Sequence, residues 1–177
     1  TVPAQGIPFT PLADRDGYAP QTGFSNGFHA ARDPKKNIAW LCHCYGTVGV
    51  GRDMAADSGL GNSLYAVIGH APRHLDRNIA VVGRVVQGIE LLSTLPRGTG
   101  PLGFYEKAEQ RVPIKSVRVA ADVPEKERTP LEVLRTDTQT FTDLVETRRN
   151  RRDAWFKLPA GYVEVCNVPM VVRKKPQ

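Results

Sequence analysis

Short apolar runs broken by loops dominate this chain, and only one long helical period stands among them. Leu64–Ile68 and Ala80–Val86 are rich in Val and Ile and too short for ordinary helices, so they predict buried strands. Trp40–Arg52 predicts a strand or a pair of strands, and Ile114–Val119 alternates apolar and polar with period two. After Gly88, residues Ile89, Leu91, Leu92 and Leu95 predict a short helix, stopped by Pro96-Arg97-Gly98. The long period lies near the C-terminus. Phe141, Leu144, Val145, Arg148, Arg152 and Trp155 share one face of a helix predicted over Thr138–Trp155. Thr129-Pro130-Leu131-Glu132 has the form of a helix start, with an N-cap, a proline at the first helical position and an acidic first turn. Tyr162–Cys166 predicts a further strand.

The intervening segments are polar and punctuated. Pro3, Pro8, Pro11, Pro20 and Pro34, with several Gly and Asp, predict an irregular surface segment at the start of the chain. Asp53–Gly61 is a Gly/Asp loop, and His70–Asn78, with Pro72 among basic side chains and Asp76, predicts an exposed loop. Three parts result: an irregular Pro/Gly-rich segment over 1–39, a β-rich part over 40–121, and a helical, basic C-terminal extension over 122–177.

Composition narrows the picture. With 177 residues, 41% of them hydrophobic, the chain can build one modest domain with its own core. No run approaches the roughly 18 apolar residues of a membrane span. Part of the net charge of +6 is local, in Arg148, Arg149, Arg151 and Arg152. That run reads as a solvated or partner-facing helix side. A nucleic-acid footprint would need more basic and aromatic positions on the same surface. The 3 cysteines are an odd count, with Cys42 and Cys44 flanking His43. Three readings stay open: small buried hydrophobes, one disulfide involving Cys166, or a metal site. The last is the weakest, since in a strand both thiols would face away from His43.

One ordered set of motifs points to a family. Leu75-Asp76 followed by Ala80-Val81-Val82-Gly83-Arg84-Val85 resembles the "WLDGKHVVFGKV" run of cyclophilins, the peptidyl-prolyl isomerases. Ser63-Leu64-Tyr65-Ala66-Val67 resembles their "SQFFI" strand, and Gly46-Thr47-Val48-Gly49-Val50-Gly51-Arg52 their "GILSMAN/R" strand. The resemblance covers Trp40–Leu95 and extends to Ile114–Ala121 as a last strand, leaving 1–39 and 122–177 aside. It implies a mainly β fold, a cyclophilin-like closed β-barrel with a C-terminal helical extension. The activity implied is cis-trans isomerisation of X-Pro bonds in proline-containing peptides or unfolded proteins, with no cofactor and no metal.

The same resemblance implies site residues. Gly51 and Arg52 match the strand-end pair that binds substrate through its backbone. Tyr65 and Leu75 match the lining of the proline pocket. Ser63 stands where the family has Gln, His74 where it has an aromatic, and Ile79 where many members have His. The family's catalytic Arg belongs to an "FHRVIPGFMVQGGD" motif that nothing in residues 1–45 matches. The expectation is therefore that this Arg lies outside the chain, on an N-terminal fragment that completes the barrel. The alternative is a catalytically silent cyclophilin-like binding or assembly module. The cellular setting stays open, with a periplasmic or exported one favoured.

Overall fold

The computed structural model describes residues 1–176. The segment expected to be irregular carries most of the largest sheet. Strands β1 (Val2–Pro3), β2 (Thr10–Leu12), β3 (Gln21–Ser25), β4 (Phe28–Asp33) and β5 (Ile38–Leu41) form a 5-stranded antiparallel sheet in the order β1-β5-β4-β3-β2. The prolines fit this sheet because of where they sit. Pro3 and Pro11 lie in β1 and β2, the two edge strands, where a missing N–H costs the ladder least. The β3–β4 connection is the two-residue Asn26-Gly27, with φ of 47° and 81°, as a tight hairpin requires.

A second, 3-stranded sheet has β6 (Thr47–Val50) between β7 (Leu64–Ala66) and β8 (Val81–Arg84). Trp40–Arg52 thus holds a pair of strands, β5 and β6. Helix α1 (Ile89–Ser93) follows Gly88 as predicted, ending two residues earlier than its apolar pattern. The fold is mainly β with few helices. The described strands group into a 5-stranded, a 3-stranded and a 2-stranded sheet. No described helix is long and apolar enough to cross a membrane.

Three expectations for the C-terminal part of the chain are overturned. Leu131–Val133 is a strand, β9, rather than a helix start, because β10 (Val172–Lys174) pairs with it antiparallel and Arg173 forms an ion pair with Glu132 directly opposite. Ile114–Val119 forms no strand; Ile114, Val117 and Val119 are exposed and no neighbouring strand engages them. Tyr162–Cys166 is extended and passes into a single 3-10 turn at Val165–Asn167, outside any ladder.

The long helix, α2, spans Gln139–Arg149. Its N-cap is Thr138, whose side chain accepts from the Phe141 N–H. It stops short of Trp155, which is 80% exposed. At its C-terminus Arg149 is drawn to Asp14 (2.6 Å), and Asn150 folds back on Glu146, its side-chain Nδ2 lying 2.7 Å from the carboxylate. Continuing the helix would also stack the cationic run Arg148–Arg152 on consecutive turns.

The main core joins distant parts of the chain. Phe24 of β3 meets Phe141 of α2 edge-to-face at 4.7 Å, surrounded by Leu12, Val145, Val163, Val165 and Val168. A disulfide between Cys44 and Cys166 ties this C-terminal segment to the β5–β6 connection. Of the three readings of the cysteines, this is the one the structure holds. Cys42 is free and buried, and burial pushes its thiol well above the usual range.

Candidate functional site

The C-terminal end of β6 gathers several of the residues expected to bind substrate. Val50 N–H donates to Ala80 O on one side (3.0 Å), and Gly51 N–H to Ser63 O on the other (2.8 Å). Gly51, Ser63 and Ile79 therefore sit at one end of the small sheet. Ile79 lines a groove of about 520 Å3 with Val2, Ile7, Phe9, Trp40 and Val81, and the Arg77 guanidinium lies 5.1 Å from the Trp40 ring. Arg52 is exposed, and its guanidinium is taken up by backbone carbonyls: Nε donates to Asn78 O (3.0 Å), and Nη1 to Asp53 O (2.7 Å) and Met54 O (3.3 Å). It acts as a tie between two loops.

Leu75 and His74 lie on the 3-10 turn Arg73–Leu75. Leu75 is partly buried, and its carbonyl accepts from Asn78 N–H (2.9 Å) and Ile79 N–H (3.2 Å), which sets the approach to Ile79. His74 is exposed on the same turn, and its carbonyl accepts from Asn78 Nδ2 at 3.1 Å.

Tyr65 departs from a purely apolar role. Its ring lies flat across Gly49, so close that a Cβ there would fall 2.2 Å from the hydroxyl oxygen. This position lets Tyr65 Oη reach His43 Nε2 at 2.8 Å, with the two rings 10° from parallel and their centroids 6.2 Å apart. His43 is fully buried. Its Nδ1 lies 3.0 Å from Asp76 Oδ1, which also accepts the His43 backbone N–H at 2.8 Å. Asp76 Oδ2 accepts from Arg73 Nε at 2.7 Å, and the rest of that guanidinium reaches Asp16 (2.9 Å) and Glu164 (3.2 Å). Burial pushes the Asp76 carboxyl up, but the hydrogen bonds from His43 and Arg73 outweigh it and hold the group below the usual carboxylate range.

The expected exposed loop His70–Asn78 is thus corrected at its centre, where Arg73 and Asp76 are buried. They are tolerated inside because each meets an opposite charge or a donor. Sequence reasoning missed Arg73 and His43. The one pointer was the Leu75-Asp76 pair in the matched motif, which fixes where the carboxylate falls without showing its partners.

Opposite this network, His29 of β4 donates from Nε2 to Val168 O at 2.7 Å. Burial lowers its pKa to about 4, against the pull of that hydrogen bond. Folded His29 is therefore neutral, whereas the unfolded side chain takes up a proton near pH 6.5. Its contribution is complete above that value and is lost as pH falls toward 4, a change on the order of 2–3 kcal/mol. Urea unfolding between pH 7 and 4 is expected to show this decline, and His29→Gln to flatten it. An unchanged slope in the variant would reject the assignment.

A description of the cyclophilin type peptidyl-prolyl cis-trans isomerase family matches residues 10–119. The match begins inside the first sheet, earlier than the motifs alone reach. Among solved structures, the fold is similar to a cyclophilin from Hirschia baltica, AquaCyp293, at 24% sequence identity and a TM-score of 0.67. The superposition covers 98% of this chain and 62% of that one, so the chain spans less than two thirds of that protein's length. No curated protein sequence matches the chain.

Proposed function

This chain belongs to the cyclophilin-type peptidyl-prolyl cis-trans isomerase family, and from that premise we propose that it serves rotation about X-Pro bonds in proline-containing peptides or unfolded proteins. The observation that carries the reading is the end of β6, where Gly51, Ser63 and Ile79 converge beside the apolar groove. The uncatalysed barrier of roughly 18–20 kcal/mol comes from amide resonance. Lowering it takes no nucleophile. An apolar wall grips the prolyl ring, backbone groups fix the flanking residues, and a donor favours the twisted imide nitrogen. Ile79 supplies the wall here, with Leu75 behind it. The family match further assigns the Gly51–Arg52 backbone, Ser63, Tyr65 and His74 to substrate, of which Gly51 and Ser63 lie with Ile79 at one end of the small sheet.

The donor is the element we assign outside residues 1–177, to a segment that would also complete the barrel. Two features support this: the open edges of the β7-β6-β8 sheet, and the share of the Hirschia baltica protein that this chain leaves uncovered. The second reading is a catalytically silent binding module. It is favoured by residues 1–45, which hold no match to the motif that carries the family's catalytic Arg.

A proline-isomerisation assay on the protein assembled with the segment that supplies the donor, with intact mass measured in parallel, separates the two. The isomerase reading expects rates proportional to protein concentration, falling at least tenfold in Ile79→Asp, about 1.4 kcal/mol of transition-state stabilisation. Rates equal to buffer would reject turnover.

A further inference from the structure

We propose that Arg84 anchors a second binding site, separate from the proline groove, which takes a small carboxylate with an apolar body.

The site lies at the far end of β8. Val81, where that strand begins, lines the groove with Ile79. Arg84, where it ends beside Thr47 of β6, lines a different cavity of about 450 Å3. Three steps of strand separate the two positions by about 10 Å. Phe28, Val85, Ile89 and Met170 give the second cavity apolar walls, and Tyr45 and Asn167, both exposed, add polar groups. The His29 imidazole also lines it, but burial keeps that ring neutral and its Nε2 is spent on Val168 O. No described Asp or Glu lines the cavity.

Arg84 is thus a cation without a counter-ion. Its Nη1 donates to Met170 O at 3.5 Å, beyond the usual length of a hydrogen bond. Its Nη2 is buried and has no partner among the described residues. Burial lowers its hold on the proton, with no neighbouring acid to oppose the effect. Buried charges are ordinarily paired. Arg73 obeys that rule with three carboxylates, and Arg84 breaks it.

The missing partner has a definite chemistry. A guanidinium is a planar fork that matches the two oxygens of a carboxylate. Held by one long bond, the fork can turn to present Nη1 and Nη2 together. The apolar walls favour an acid with a carbon body over an inorganic anion, whose hydration they could not replace. The cavity volume falls within the ordinary range for small-molecule sites.

The test uses three probes, benzoate, benzamide and inorganic phosphate, with NMR of the arginine side-chain N–H groups. The Arg84 signal is the one that disappears in Arg84→Met. Benzoate is expected to shift it saturably, with a Kd on the order of 1 mM or tighter. Benzamide, which has the same shape without the charge, and phosphate, which has charge without the apolar body, should each bind at least about tenfold more weakly. No saturable shift by about 20 mM benzoate, or equal binding of either control, would overturn the proposal.

Arg84→Met supplies an independent readout. Removing a cation that has no partner strands nothing, so the urea midpoint should hold or rise while benzoate binding is lost. A lowered midpoint would mean that the fold itself satisfies Arg84, and would overturn the proposal. Proline-peptide binding is expected to be equal in parent and variant. A parallel loss would make the two sites one and overturn their separation.

Discussion

Replacing Arg73 with methionine is expected to destabilise the folded protein by about 3–5 kcal/mol, the cost of stranding buried charge by removing its partner. Arg73 is 3% exposed, and one guanidinium serves three carboxylates. Nε binds Asp76, Nη1 and Nη2 grip both oxygens of Asp16, and Nη1 also reaches Glu164. The side chains of Asp16 and Asp76 are only 4% and 5% accessible, so neither can turn to water when the cation is lost. Those acids in turn hold the Arg73 guanidinium more firmly protonated than usual, even though burial alone would work the other way. Pairing Arg73→Met with Asp16→Asn should recover part of the loss, because it removes one of the stranded charges. Urea denaturation of the two variants measures both. A cost below 1 kcal/mol for Arg73→Met would show that the cluster is held by something other than its central cation.

The second large effect belongs to the covalent tie. Cys44 and Cys166 lie 122 residues apart, and a cross-link closing a loop of that length restricts the unfolded chain by about 4–5 kcal/mol. Cys166→Ser is expected to lose most of that. Hydrogen exchange should accelerate over Val163–Val168, where Val163, Val165 and Val168 enter the core. Cys42→Ser is the control. Its thiol is buried, stays protonated and forms no bridge, so the variant should keep the exchange protection of that segment. Equal protection in Cys166→Ser and the parent would mean that packing alone holds the segment.

The sequence was most legible where one property decides the outcome. Short apolar runs at β7 and β8 had nowhere else to go, and their spacing from Leu75-Asp76 carried the family. Legibility failed where a long-range partner decides. Pro3 and Pro11 argue against strands until they are known to lie on sheet edges. Thr129-Pro130-Leu131-Glu132 satisfies every local rule for a helix start, yet Arg173 and its strand, some forty residues on, claim it for a ladder. The Asn26-Gly27 pair was a local hairpin signal within reach, and the density of prolines around it obscured it. In the candidate site, Gly51, Ser63 and Ile79 were expected from the motifs, and the fold brings them to one end of the small sheet. The tyrosine–histidine–aspartate chain did not, because residues 43, 65 and 76 share no period, and their juxtaposition exists only once β6 lies between its neighbours.

The arginine at the centre of the buried charge cluster also sets an order of events during synthesis. Asp16 and Arg73 emerge from the ribosome early, but Glu164 and Cys166 follow only after some ninety further residues, a delay of several seconds at about 5–20 residues per second. Throughout that interval the turn bearing Leu75 and Asp76 lacks its outer carboxylate, and the β5–β6 connection lacks its covalent tie. The nascent protein therefore carries an unlocked site until Glu164 and Cys166 have been made, and a ribosome stalled before Glu164 would display the family's motifs without the geometry that gives them meaning.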